Sequence, residues 1–198
     1  SAGAIHTPAL LMRSGIGPVD DIAAVGGNVV AGRSGVGRNL MEHPSIAVAA
    51  YLPPQMRVRD RGEHHEQAIW RFSSGLDGAP QGDMHAAILS RSGWHSIGLR
   101  LGSLFFWVNK SYSRGNVTLK TASAVDEPIV DLNLASDDRD LMRLVDGFKR
   151  IYNIMMSPEV QQHVNTWFLA GYSDEARALS IRKPSNWIKT ASAAYLFD

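Results

Sequence analysis

The 198 residues predict an α+β fold, an antiparallel sheet covered by helices on one face. Three observations carry this. Short β-rich runs separated by turn residues fill the middle of the chain. A stretch from Asp137 to Met156 then repeats apolar residues at 3- and 4-residue spacing, as an amphipathic helix does. Strands thus come first and helices after them, the order of a sheet roofed on one side.

The chain opens on a turn and a helix. Thr7 is the expected N-cap and Pro8 the first helical residue, where a missing N–H costs nothing. Gly15, Gly17 and Pro18 stop the helix. Asp20 to Val25 form a second, short helix ended by Gly26-Gly27, and "NVVAG" a brief strand. "GRSGVGRNLMEHP" is too rich in glycine for either element and reads as a loop. "SIAVAAYL" is a strand ending at Pro53-Pro54, and residues 56–82 read as a long excursion with little regular structure. "DMHAAILS" and "LRLGSLFFWVNK" are strands, and Arg114-Gly115 is the expected turn from the second of them into "NVTLK". "SRGNVTLKTA" and "PIVDLNL" are expected antiparallel neighbours.

The helix over Asp137–Met156 is the clearest element. Ser136 is its expected cap, acids crowd its first turn, and Lys149 and Arg150 follow later, matching the macrodipole. Leu141, Leu144, Val145, Phe148, Tyr152 and Met155 form its expected apolar face. Ser157-Pro158 starts another helix, expected to run to about Leu169, and a third falls within residues 173–182.

Composition narrows the function. Apolar residues make up 44 % of the chain, enough for a packed core. The formal net charge of +1 offers no field for nucleic acid. The absence of cysteine excludes disulfides, thiolate catalysis and cysteine-ligated zinc, which fits the cytoplasm. No apolar run reaches the length of a membrane span.

Two glycine pairs, "GIGPVD" and "GVGRNL", invite a nucleotide reading. A dinucleotide fingerprint needs a third small residue three places on, and Asp20 and Leu40 stand there instead. His64-His65-Glu66 lacks helical ligand spacing and reads as a solvated loop, so no metal ligands are assigned. His85 and His95 lie on or near strands, where a lone histidine is ordinarily structural. No serine sits in a nucleophile elbow. The residues by themselves reach a soluble α+β domain with a glycine-rich approach.

"GAIHTPALLMRSGIG" resembles the second signature of the glucose–methanol–choline (GMC) family of FAD-dependent oxidoreductases, through Gly3, Ala4, Thr7, Pro8, Leu10, Leu11, Ser14, Gly15, Ile16 and Gly17. "GVGRNLMEHP" is similar to the family's Gly-Val-Gly-x-Asn-Leu-Gln-Asp-His-Pro loop and departs from it at Met41 and Glu42. "SRGNVTLKTA" with "PIVDLNLASDDRDLMRLVDGFK" resembles the strands and helix that open the family's C-terminal region.

The resemblance implies a central fragment, with residues 1–44 the end of an FAD-binding α/β domain and residues 45–198 a substrate-binding domain, incomplete at its C-terminus, built on a six-stranded antiparallel sheet. It implies FAD as cofactor, approached closely by Ser1, Ala2 and Gly3, and not retained by this chain alone. It implies a parent that oxidises a small-molecule alcohol, nearest to the bacterial choline-dehydrogenase-like enzymes: a His removes the hydroxyl proton and hydride passes to flavin N5. That His belongs to a His-Pro-x-Gly-Thr segment expected beyond Asp198, so no catalytic residue is assigned here and the chain alone is expected to be inactive. A hydroxynitrile lyase on the same scaffold, or a non-catalytic flavin-binding or interaction protein, are the alternatives. The sequence leaves the alcohol and the electron acceptor open.

Strand alternation puts Ser103, Phe105, Trp107 and Asn109 on one face and Leu104, Phe106 and Val108 on the other. The first set mixes rings with polar atoms, as a pocket for a small alcohol needs, and His85 on the neighbouring strand adds to the same wall. The competing reading makes Phe105 and Trp107 the core face.

Overall fold

The computed structural model describes residues 1–60, 62–164, 166–171 and 173–197. In chain order its elements are α1 (Gly3–Arg13), β1 (Ile16–Gly17), α2 (Val19–Ala24), β2 (Ala31–Gly32), β3 (Ser45–Tyr51), β4 (Glu66–Phe72), β5 (Met84–Leu89), β6 (Leu101–Val108), β7 (Asn116–Thr118), β8 (Ile129–Asp131), α3 (Asp138–Met155), α4 (Pro158–Gln161), β9 (Trp167–Leu169), α5 (Asp174–Ser180) and α6 (Pro184–Phe197). Two compact units result. One joins Ser1–Pro44 to Lys110–Met142, and the other joins Ser45–Asn109 to Arg143–Asp198. The boundary at Pro44 is where the sequence changes character, but residues 110–142 group with the first segment, so the stretch after Pro44 is not one continuous unit.

In the first unit α1 begins at Gly3, not at Pro8. Thr7 is no N-cap. Its hydroxyl lies inside the helix and accepts the Ala2 N–H at 2.9 Å. Pro8 is therefore internal and cannot donate to the Ala4 carbonyl. Ala9 and Met12 of α1 pack with Ile22 of α2 and with Leu119, and β1 pairs in parallel with β2. β7 and β8 pair antiparallel, as their sequences suggest. Arg114-Gly115, however, is not a turn between β6 and β7, because those strands belong to different sheets. Gly115 instead bridges Leu40 by two main-chain hydrogen bonds of 2.8 and 3.0 Å.

The loop after β2 is clamped at Gly37, whose carbonyl accepts the Val117 N–H at 2.7 Å. Its φ is +75°, and a Cβ there would run into the Val117 carbonyl oxygen. Gly37→Ala therefore combines left-handed strain with a backbone clash. It should destabilise the chain by about 2 kcal/mol or more, read by denaturant unfolding. A change below half of that would mean the clamp yields freely.

The second unit is built on a five-stranded antiparallel sheet, in the order β4-β5-β6-β3-β9. Among the described residues it has five strands, against the six that the family resemblance implies. β4 corrects the reading of residues 56–82 as irregular. It is an edge strand exposed over all but Phe72, so its polar residues need no alternation to be satisfied. The helix expected to continue to Leu169 stops after one turn at Gln161, and β9 follows, pairing with β3. α5 lies where expected, capped by the Ser173 hydroxyl accepting the Ala176 N–H. α6 follows it, and its buried Asn186 donates to the Ala178 and Ile181 carbonyls and so ties α5 to α6.

α3 is capped by Asp137 and not by Ser136: the Asp137 carboxylate accepts the Arg139 N–H at 2.9 Å. Its buried stripe runs through Asp140, Arg143, Leu144, Gly147, Ile151 and Met155. Leu141, Val145 and Tyr152, expected in the apolar face, are about half exposed. Two charged residues and a glycine hold the buried positions because each has a partner there. Asp140 accepts both the Ser113 N–H (2.7 Å) and the Ser113 hydroxyl (2.6 Å). Arg143 pairs with buried Asp83 at 3.7 Å. Gly147 lies over Phe106 and Met84, where a Cβ would come within 2.9 Å of the Phe106 ring.

Candidate functional site

The cross-strand register divides the sheet into two faces. Met84, Phe106 and Val108 point to α3 and are fully buried, with Leu104 beside them. The opposite face carries Ser103, Phe105 and Trp107 of β6, His85 of β5, and Ala47 and Ala49 of β3. Phe105 and Trp107 are half-buried, and α3 lies on the other side of the sheet.

His85 and Trp107 are direct cross-strand partners, and their rings stack with centroids 4.5 Å apart and planes 10° apart. Phe105 tilts against Trp107 at 5.2 Å. The Trp107 Nε1–H donates to Asn109 Oδ1 at 3.2 Å, and the Asn109 amide donates to the Gly82 carbonyl at 3.4 Å. This chain of contacts fixes the indole, since a ring held at both its face and its N–H has few rotamers open to it. Ser103 is buried, with the Ser92 hydroxyl 3.5 Å from its own. All five residues selected from strand alternation are thus on or beside one face.

Sequence reasoning missed the floor. Ala47 and Ala87 stand opposite Phe105, and Ala49 opposite Ser103, so small side chains lie between the rings. The run "SIAVAAY" contains that signal, but it is apolar at every position except its first and last, and alternation alone assigns no face to it. At the β3–β9 edge, a recess of about 680 Å³ is lined by Ala47 and Phe105 from the ring-bearing face, by Ile46 and Phe148 from the α3 side, and by Leu169 and Gly171. It is mainly apolar, suited to a small organic molecule with one or two polar groups.

Ser1, Ala2 and Gly3 lie in the first unit. Gly3 has φ +81°, and a Cβ built on it meets nothing within 4 Å. Backbone conformation asks for glycine here and packing within the chain does not, which leaves the Cα side open to an approaching group. Among the described residues no three His, Asp or Glu side chains cluster as a metal site would need.

Residues 1–45 match the N-terminal model of the GMC oxidoreductases and residues 111–194 the C-terminal model. The chain belongs to the GMC oxidoreductase family. GMC oxidoreductases are FAD-dependent. The 5-(hydroxymethyl)furfural oxidase of Methylovorus sp. is 43 % identical over 169 residues, which is 82 % of this chain and 30 % of that protein. Choline oxidase of Arthrobacter globiformis is 30 % identical over 201 residues, 95 % of this chain and 36 % of that protein. The chain therefore spans about a third of the length of these relatives. Among solved structures, pyridoxine 4-oxidase superposes with a TM-score of 0.68 at 25 % identity, over 90 % of this chain and 36 % of that one. A formate oxidase superposes at 0.71 with 20 % identity, over 89 % and 41 %, and shows the shared fold.

Proposed function

We propose that this GMC chain supplies the alcohol-facing wall of a flavin-dependent oxidoreductase acting on CH–OH groups. The observation that carries the reading is the open sheet face, where the stacked His85–Trp107 pair and Phe105 border an alanine floor. Such a face orients a small organic alcohol by ring contact and keeps water from it. When bound, FAD supplies the hydride acceptor. The open, positive-φ backbone at Gly3 fits a segment that a dinucleotide approaches closely, so Ser1, Ala2 and Gly3 are its contacts on this chain. Neither glycine pair of the chain completes a phosphate loop, so no pyrophosphate contact is assigned to them. The 198 residues alone are accordingly expected to hold no stoichiometric FAD and to oxidise no alcohol. We place the protein in the cytoplasm, in keeping with a chain free of cysteine.

The test is anaerobic addition of primary alcohols, aromatic and choline-like, to the flavoprotein that carries this chain. Loss of the oxidised-flavin absorbance is expected with at least one of them. A flavin that dithionite bleaches but no alcohol does would overturn the reading, and cyanohydrin cleavage by the same protein would establish a lyase in its place.

A further inference from the structure

A second site adjoins the Ser103 end of the same sheet face, where the β5–β6 connection meets α5 and α6 and where Leu89 and Ser92 border both. Two recesses, of about 610 and 320 Å³, adjoin each other at Trp94 and Arg182, which line both. His65, Arg91, Lys183 and Trp187 complete the chemistry of this groove. Among the described residues no aspartate or glutamate lines it. Among the described residues Arg182 and Lys183 enter no ion pair, and Arg182 lies 6.0 Å over the Trp94 ring.

The groove is built on fixed parts. Trp94 donates its Nε1–H to the Ser180 carbonyl at 2.8 Å, which pins the indole to the end of α5. The loop that carries it is closed by Ser92 N–H to the Gly98 carbonyl (2.9 Å) and by Gly98 N–H to His95 Nδ1 (3.1 Å). Burial holds the His95 pKa below the ordinary imidazole value, which keeps that nitrogen an acceptor. Arg91 is anchored by donating to the main-chain oxygens of Asp60 and Glu63. Trp187 presents its ring to solvent, 57 % exposed.

We propose that this groove binds a small aromatic carboxylate, the ring against the indoles of Trp94 and Trp187 and the carboxylate on Arg182. A guanidinium presents a planar fork that matches a carboxylate, and Lys183 and Arg91 reinforce the field. Exposed indole faces favour a flat π-system over an aliphatic body of the same charge. The charged residues among the described lining are cations, which favours an incoming anion.

Benzoate is the probe, titrated by calorimetry into the flavoprotein that carries this chain, with benzamide, cyclohexanecarboxylate and inorganic phosphate as comparison ligands. Saturable one-site binding of benzoate is expected, weakened about tenfold in R182Q, because a hydrogen bond to a charged group contributes about that factor. Benzamide and cyclohexanecarboxylate should each bind clearly more weakly, and phosphate should not compete. Unchanged affinity in R182Q, competition by phosphate or cyclohexanecarboxylate at benzoate's own level, or no binding at millimolar benzoate would each overturn the proposal. Loss of binding in W107F with R182Q unaffected would place the ligand on the alcohol wall, which defeats this site while leaving the functional reading intact.

Discussion

Replacing Asp83 by alanine should lower the unfolding free energy of the chain by about 3–5 kcal/mol, the usual result of removing one partner from a buried charge pair. Asp83 is fully buried, and so is Arg143, whose guanidinium lies 3.7 Å from it. The same carboxylate accepts the Ser74 N–H and the Ser74 hydroxyl, both at 2.8 Å. Its own main-chain carbonyl accepts the Asn109 N–H at 2.8 Å, so the residue ties the start of β5 to the end of β6. Alanine therefore removes the charge beside a buried guanidinium and both side-chain acceptor contacts to Ser74, while the main-chain bond to Asn109 stays. Denaturant unfolding of D83A, R143M and D83A/R143M reads the effect. The double variant should recover part of the loss, because it no longer buries one charge without the other. A D83A chain within about 1 kcal/mol of the parent would show that water reaches the pair freely.

The same pair explains what the sequence reveals and what it conceals. α3 is legible to within a residue at each end, since its acids, its length and its apolar spacing all agree. Its buried face is not, because Asp140, Arg143 and Gly147 occupy positions that apolar counting leaves blank. Their partners, Ser113, Asp83 and Phe106, are 27, 60 and 41 residues distant along the chain. No local pattern encodes contacts of that range. β4 fails for a related reason: an exposed edge strand buries too little to leave a period in its sequence. β6 reads correctly because it is central, with one face fully buried, and alternation then divides it into a ring-and-polar set and a wholly apolar set. Of the candidate wall, that division was visible, whereas the alanine floor needs the register of three strands to be recognised.

Phe106→Ala and Phe105→Ala should therefore differ sharply although the residues are neighbours. Phe106 is fully buried beneath α3, touching the Gly147 backbone where no side chain intervenes. Its loss opens a cavity that a rigid sheet and helix cannot close, with an expected destabilisation of about 3–5 kcal/mol. Phe105 and Trp107 lie on the other face, half-buried, and contribute mainly their mutual ring contact and the stack on His85. Phe105→Ala and Trp107→Ala should each lower stability by about 1 kcal/mol, the scale of an aromatic pair. In the flavoprotein that carries this chain, both should shift the ratio of kcat/KM between an aromatic and an aliphatic alcohol while flavin content stays constant. A wall residue acts on the substrate it touches and not on the cofactor, so the ratio moves and the spectrum does not. If Phe105→Ala instead destabilises the protein as much as Phe106→Ala, both faces are core, and the alcohol wall must be sought elsewhere in the sheet.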